Sequence, residues 1–243
     1  MSSPNLLSFD SPEALAQAAA HAWVDDIAKA HSAGKNYSVA LSGGRFVQTF
    51  FAITVEVARA RSVSFDHVHF FWADERCVPP ESPDSNFKLA QDIMFLPLNI
   101  PPANIHRLRG ELDPEIAVAQ AITELAQLVP PGESGLPALD LVQLGMGEDG
   151  HIASLFPNAS PEIINCSASF LAVYDSPKPP PRRLTLSFAA IASARQVWAL
   201  VSGASKAEAL TESLRPNGKT PFARLLRIRP GLTIFCHLGK INT

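Results

Sequence analysis

The chain has 243 residues, 47% of them hydrophobic and 18% charged, with a formal net charge of -3. That balance suits a folded chain with a sizeable core and excludes extensive disorder. It offers no basic footprint for nucleic acid and no apolar run approaching the ~20 residues that cross a bilayer, and three cysteines at unrelated spacings give neither a disulfide framework nor a zinc pattern.

In chain order, Ser11-Pro-Glu-Ala predicts a capped helix start, with an Ala-rich amphipathic helix running to about Ala33. Asn36 to Leu41 reads as a strand broken by Gly43-Gly44, and Phe46 to Ala60 is helical in pattern. His67 to Trp72, rich in aromatic and β-branched residues, is a second strand. Helices are expected over Asn86 to Phe95 and from the Asp113-Pro-Glu-Ile cap to about Leu128. Leu139 to Leu144 is a third strand, after which Ile152 to Phe156 looks like a helix opening. Strands at Phe170 to Tyr174, Arg183 to Ser187 and Gln196 to Val201 follow, then a helix from about Ser205 to Leu214 and a last strand at Leu232 to Cys236. Strands alternating with helices predict an α/β fold with a mostly parallel sheet covered on both faces. No long linker divides the chain, so one domain over residues 1–243 is expected.

Ligands of open α/β sheets sit at the carboxyl ends of the strands, and four clusters fall there. Ser42-Gly43-Gly44-Arg45 places backbone N–H groups at a helix start, a geometry suited to a phosphate. The same pattern also fits an ordinary tight turn. Asp74-Glu-Arg76 follows directly on the aromatic strand, which argues for a place at the centre of the sheet; Arg76 offers a planar fork for phosphate, and Asp74 a carboxylate for sugar hydroxyls. Asp149-Gly-His151 lies in a Gly-rich turn after a buried strand, a setting in which an oriented histidine works as a general base. Late in the chain, the stiff run Ser176-Pro-Lys-Pro-Pro-Pro181 leads to Arg182 and Arg183, and Lys206 opens a helix where a bound anion would offset the dipole. His67 and His69 lack a third metal ligand at a recognisable spacing, and Cys77 has no histidine partner in the local pattern.

Taken together, Leu41-Ser-Gly-Gly44, Asp74-Glu-Arg76 with Asn86, Gly145-Met-Gly-Glu-Asp-Gly-His-Ile-Ala-Ser-Leu-Phe-Pro157, Pro179-Pro-Pro-Arg-Arg-Leu-Thr-Leu186 and Gly203-Ala-Ser-Lys206 resemble the 6-phosphogluconolactonase family over nearly the whole chain. The resemblance implies a Rossmann-like, three-layer α/β sandwich similar to glucosamine-6-phosphate deaminase and ribose-5-phosphate isomerase. It also implies hydrolysis of 6-phospho-D-glucono-1,5-lactone in the oxidative pentose phosphate pathway, with no metal or organic cofactor. On that resemblance His151 is the general base and Asp149 its orienter. Ser42, Gly43, Gly44, Arg45, Arg76, Arg183 and Lys206 surround the phosphate, and Asp74 and Asn86 position hydroxyls or loops. One departure stands out: the family commonly has a small residue after Gly-Gly, often followed by Thr-Pro, and this chain has Arg45-Phe-Val47.

Two other readings compete. The deaminase continues Asp-Gly-His with Ala-Phe-Asn-Glu-Pro, whereas this chain has Ile-Ala-Ser-Leu-Phe-Pro157 and lacks the Asn-Glu pair. A sugar-phosphate sensor would carry a basic DNA-binding segment, and none precedes Asn36. The expected setting is a cytoplasmic protein, monomeric or weakly dimeric, acting on a small sugar-phosphate lactone without nucleic acid or membrane.

Overall fold

Apolar runs separated by amphipathic helices give a six-stranded, all-parallel sheet in the computed structural model, which describes residues 3–239. The elements are β1 (Asn5–Ser8), α1 (Pro12–Ser32), β2 (Tyr37–Leu41), α2 (Arg45–Ala60), β3 (Val68–Trp72), β4 (Asp74–Arg76), α3 (Asn86–Ala90), α4 (Leu96–Leu98), α5 (Pro114–Leu128), β5 (Leu141–Gly145), α6 (Pro161–Ile164), β6 (Phe170–Val173), β7 (Arg183–Leu186), α7 (Phe188–Ser193), β8 (Gln196–Ser202), α8 (Ala207–Leu214), α9 (Pro221–Ile228) and β9 (Thr233–His237). The strand order is β1-β9-β8-β5-β2-β3. Consecutive residues of β5 and β8 are buried, so both faces of the sheet are covered, as parallel sheets require.

Helix α1 starts where the sequence predicts. Ser11 Oγ accepts from the Ala14 N–H at 3.0 Å, a cap whose loss typically costs about 1 kcal/mol. Its apolar stripe, Leu15, Ala16, Ala19, Ala20, Trp23 and Ile27, is buried, and the Trp23 ring stacks on Phe50 of α2 at 5.7 Å between centroids. Truncating a fully buried tryptophan of this kind costs about 3–5 kcal/mol.

Four expectations need correction. Trp72 does not lead to the sheet centre: β3 is the last strand, and its outer edge is met by a short segment in which the His106 N–H donates to Phe70 O at 2.8 Å. Residues 74–76 form the short strand β4. The strands predicted near 170 and 183 join β4 in a separate antiparallel sheet, ordered β4-β7-β6. The switch occurs at Ala73, whose N–H donates to Leu41 O of the main sheet and whose carbonyl accepts from Leu186 N–H of the small one. This hinge stacks the small sheet beside the carboxyl ends of β2 and β3.

The helix expected at Ile152 to Phe156 does not form. Ala153 has a left-handed φ of 46°, Ile152 pairs with both Met146 and Leu155, and the Ser154 N–H donates to Thr185 Oγ1. With Pro157 so near, a helix has no room to close successive turns, and tertiary partners take the amides instead. Finally, the helix beginning at Asn86 runs past Phe95 to Leu98, with a π turn over Gln91–Phe95. Pro97 explains the π turn, because it has no N–H to offer the carbonyl one turn back and its ring crowds that carbonyl.

Candidate active site

From β2 the chain moves outward to β3, and from β5 it moves the opposite way to β8. The crevice between the ends of β2 and β5 is therefore the topological switch point, where open α/β sheets bind ligands. Two Gly-rich turns meet there, and Ser42 Oγ ties the first of them to β5 by donating to Gln143 O at 2.8 Å. The cavity that opens at this point has a volume of about 660 Å³. Ser42, Gly43, Gly44, Arg45, Asp74, Arg76, Asn86, His151, Arg183 and Lys206 all line it, whereas Asp149 and Arg182 lie outside its lining.

Asp149 and His151 form a tight pair. Asp149 Oδ1 lies 2.5 Å from His151 Nδ1 and also accepts the His151 N–H at 3.2 Å. The carboxylate fixes the proton on Nδ1 and leaves the Nε2 lone pair as acceptor. Phe156 backs the imidazole, its ring centroid 4.7 Å away. Gly147 makes the pair possible, since a β-carbon there would lie 2.0 Å from His151 Nδ1. Gly150 turns the chain with φ of 76° above Thr220. Burial pushes the His151 pKa down, and the attraction and hydrogen bond of Asp149 offset this only in part. Burial pushes the Asp149 carboxyl up, but the attraction and hydrogen bonds of His151 outweigh it, and the net shift is downward. The result is a neutral, oriented imidazole beside an ionised carboxylate.

A second group of polar side chains is held by Glu75, to which sequence reasoning assigned no role. Glu75 is 2% exposed. Its two carboxylate oxygens accept four donors: the N–H groups of Arg76, Asn86 and Phe87 at 2.7–2.8 Å and Ser85 Oγ at 3.1 Å. Burial raises its pKa and the three backbone hydrogen bonds oppose that rise. Glu75 thereby pins the first turn of α3 and with it Asn86, whose Nδ2 donates to Asp74 O at 2.9 Å. Asp74 Oδ2 accepts from Ser154 Oγ at 2.7 Å, and Oδ1 accepts only a long bond from Asn86 Nδ2 at 3.5 Å, which leaves it lone-pair capacity for a ligand hydroxyl. Ser154 was equally invisible from sequence, because it follows the histidine in a stretch that reads as helix.

The cations differ in how much of their donor capacity is free. Arg45 is the first residue of α2, whose N-terminus has Gly44 and no side-chain cap. Its early N–H groups thus have no partner from the cap and face the cavity mouth. Arg76 Nη1 donates to Asp84 O at 2.6 Å, while its buried Nε has no partner. Lys206 Nζ donates to Met146 O, and burial lowers its pKa against the attraction of Glu148. Arg183 commits Nε and Nη2 elsewhere, Nε donating to Pro180 O at 2.7 Å and Nη2 to Pro179 O at 3.0 Å and Lys178 O at 3.2 Å, which leaves Nη1 for the cavity that it lines. Lys178, at the tip of that proline-rich loop, lines the cavity as well.

Outside the cavity, His67 pairs with His31 and His69 with His106. Among the described residues, no group of three or more His, Cys, Asp or Glu is arranged to hold a metal ion. Burial pushes the Cys77 thiol up to about 11, which leaves it a poor nucleophile. No helix of the described residues is long and apolar enough to cross a membrane.

Comparison with known proteins gives a consistent picture. The family model described as glucosamine-6-phosphate isomerases/6-phosphogluconolactonase matches residues 10–234. A chloroplastic 6-phosphogluconolactonase 3 of Arabidopsis thaliana is 38% identical over 192 residues, covering 76% of this chain and 58% of that protein. The chain thus spans about three-fifths of the length of that chloroplast relative. A 6-phosphogluconolactonase of Streptomyces coelicolor is 32% identical over 222 residues, 89% of this chain and 85% of the relative. Among solved structures, the 6-phosphogluconolactonase of Trypanosoma brucei superposes with a TM-score of 0.84 at 28% identity, covering 97% of each chain.

Proposed function

The chain belongs to the glucosamine-6-phosphate isomerase/6-phosphogluconolactonase family, and we propose that it hydrolyses 6-phospho-D-glucono-1,5-lactone to 6-phospho-D-gluconate in the oxidative pentose phosphate pathway. The observation that carries this reading is the Asp149–His151 pair, 2.5 Å apart, on the wall of a cavity lined by cations and an uncapped helix start.

The lactone's phosphate rests on the N–H groups of Gly43 and Gly44, with Arg45, Arg76 and Lys206 around it. Asp74 and Asn86 hold ring hydroxyls. His151 Nε2 takes a proton from water as the water oxygen bonds to C1, and the carbonyl pair moves onto the exocyclic oxygen. When that tetrahedral species collapses, the carbonyl reforms, the bond from C1 to the ring oxygen breaks, and the imidazolium returns its proton to the ring oxygen. The acid formed then ionises in solvent. Proton transfer of this kind is typically worth ~10²–10⁴-fold. The resting state supports it, because an imidazole whose pKa is lowered by burial is already neutral and ready to accept.

The test is direct. The lactone is generated with glucose-6-phosphate dehydrogenase, and its disappearance is followed with and without the protein. Acceleration over the spontaneous rate is expected, and none would refute the assignment. Release of ammonia from glucosamine-6-phosphate, the deaminase reaction, is not expected.

A further inference from the structure

We infer that the proline-rich loop presents Lys178 to the reacting carbonyl as its oxyanion partner, and that Arg183 is the positioning residue that holds the loop in place. The inference rests on the lactonase reading.

Residues 176–181 are Ser-Pro-Lys-Pro-Pro-Pro. Four prolines stiffen this run and remove four N–H groups, so few backbone hydrogen bonds of its own can hold its shape. Two clamps replace them. At the base, the Ser176 N–H donates to Pro181 O, and Ser176 Oγ bonds both the N–H and the carbonyl of Lys178. From below, Arg183 reaches the three consecutive carbonyls of Lys178, Pro179 and Pro180. Arg183 is 5% exposed and sits on β7 opposite Arg76 of β4, a rigid base in the small sheet. Its Nε and Nη2 are therefore committed to loop carbonyls. The relation suggested by sequence, a loop that delivers Arg183, is inverted: Arg183 delivers the loop.

What the loop carries is Lys178. The backbone of Lys178 is fixed by both clamps, while its side chain is exposed at the cavity that His151 lines. Among the described residues its ammonium has no ion-pair partner. Lys178 and His151 line the same cavity, and the Lys178 charge is felt at His151 and Asp149 as well as at Lys206 and Glu148. Lys206, by contrast, is tied to Met146 O at the other turn. Lys178 is thus a mobile cation on a fixed backbone, in the same cavity as the group that activates water. Attack by water moves the carbonyl pair onto an oxygen that was neutral in the lactone and becomes anionic in the tetrahedral species. An ammonium held at that point interacts more strongly with the transition state than with the substrate, which is the condition for raising kcat.

Lys178→Met is the first test, because the side chain is exposed and the fold has little reason to notice its loss. The readouts are kcat, KM for the lactone, and the inhibition constant of inorganic phosphate. The expectation is a kcat lower by ~10²-fold with KM and the phosphate constant unchanged, and partial recovery of kcat in Lys178→Arg. A weakened phosphate constant with kcat intact would make Lys178 a phosphate ligand and overturn the proposal, as would no change in either. Arg183→Lys should lower kcat in the same pattern, and the double variant with Lys178→Met should be no slower than Lys178→Met alone. Additive losses would mean that Arg183 meets the substrate itself. If the unaltered protein shows no lactonase activity, the parent reading fails; if it is active and Lys178→Met is too, only this inference fails.

Discussion

The side-chain amide of Asn86 occupies the space that a β-carbon on Gly43 would need: Asn86 Oδ1 lies 1.8 Å from that position. The contact joins the phosphate turn after β2 to the start of α3, two segments 43 residues apart in sequence. A methyl group at Gly43 cannot be relieved by moving a flexible chain end, because Asn86 is buried and bonded to Asp74 O.

Gly43→Ala should therefore expel the Asn86 amide and disturb Asp74 and the turn together. Overpacking of this kind typically costs about 1–3 kcal/mol. Lactonase kcat/KM should fall more than the stability loss explains. Paired thermal melts and kinetics check this, and a variant with native activity would show that the turn and Asn86 move independently.

Glu75 makes a second expectation. All four of its partners are donors, so an amide in its place sets an NH₂ group against N–H groups. Glu75→Gln should leave one or more buried donors unpaired, at about 1–3 kcal/mol. In a chain of this size each kcal/mol lowers Tm by roughly 2–4 °C. Activity should drop alongside, since Asn86 and Arg76 both lean on this carboxylate. An unchanged Tm in a calorimetric scan would contradict the account.

Rate should depend on pH through His151. Its pKa is lowered, first by burial, with Asp149 pulling the other way. The base works when neutral, so activity is present above that pKa and lost as pH falls through it. The acid limb of kcat/KM should then lie below 6.5, the ordinary histidine value. Asp149→Asn removes the attraction that favours the imidazolium and frees the tautomer. It should cut kcat by ~10²-fold or more while leaving phosphate inhibition intact. An acid limb well above 6.5 would mean that another group controls the rate.

Much of this was legible in the sequence, and the rest was hidden for identifiable reasons. The β2, β5 and β8 runs and helices α1, α2 and α5 announce themselves because burial on both faces or one stripe leaves a clear pattern. Strand β4 does not, because Asp74 and Glu75 are buried, and Arg76 half-buried, by partners distant in the chain. The turn at 152–155 reads as a helix because Ile152 and Leu155 have helical spacing, and only the Thr185 hydroxyl shows where the Ser154 amide goes. Among site residues, the Asp149–His151 pair is local and readable, whereas Gly147 matters through a space that no pattern displays. The proline run drew notice for the arginines after it, although the single charge inside it was the available signal for Lys178.

Arg45 offers the sharpest test of the phosphate site, because its place in α2 is unfavourable without a ligand. A cation at the start of a 16-residue helix faces the positive end of the dipole, a cost of about 0.3–1 kcal/mol when partly exposed. Gly44 supplies no side-chain cap to soften it. A bound phosphate reverses the balance by meeting the guanidinium and the free N–H groups at once. Arg45→Ser should therefore raise Tm slightly in the absence of anions, since serine removes the charge. In saturating inorganic phosphate the order should invert, with the unaltered protein gaining more in Tm. Kinetically, KM for the phosphorylated lactone should rise while hydrolysis of unphosphorylated gluconolactone is unaffected. A phosphate-induced shift of equal size in both proteins would place Arg45 outside the anion site and leave the glycine turn, Arg76 and Lys206 to hold the phosphate alone.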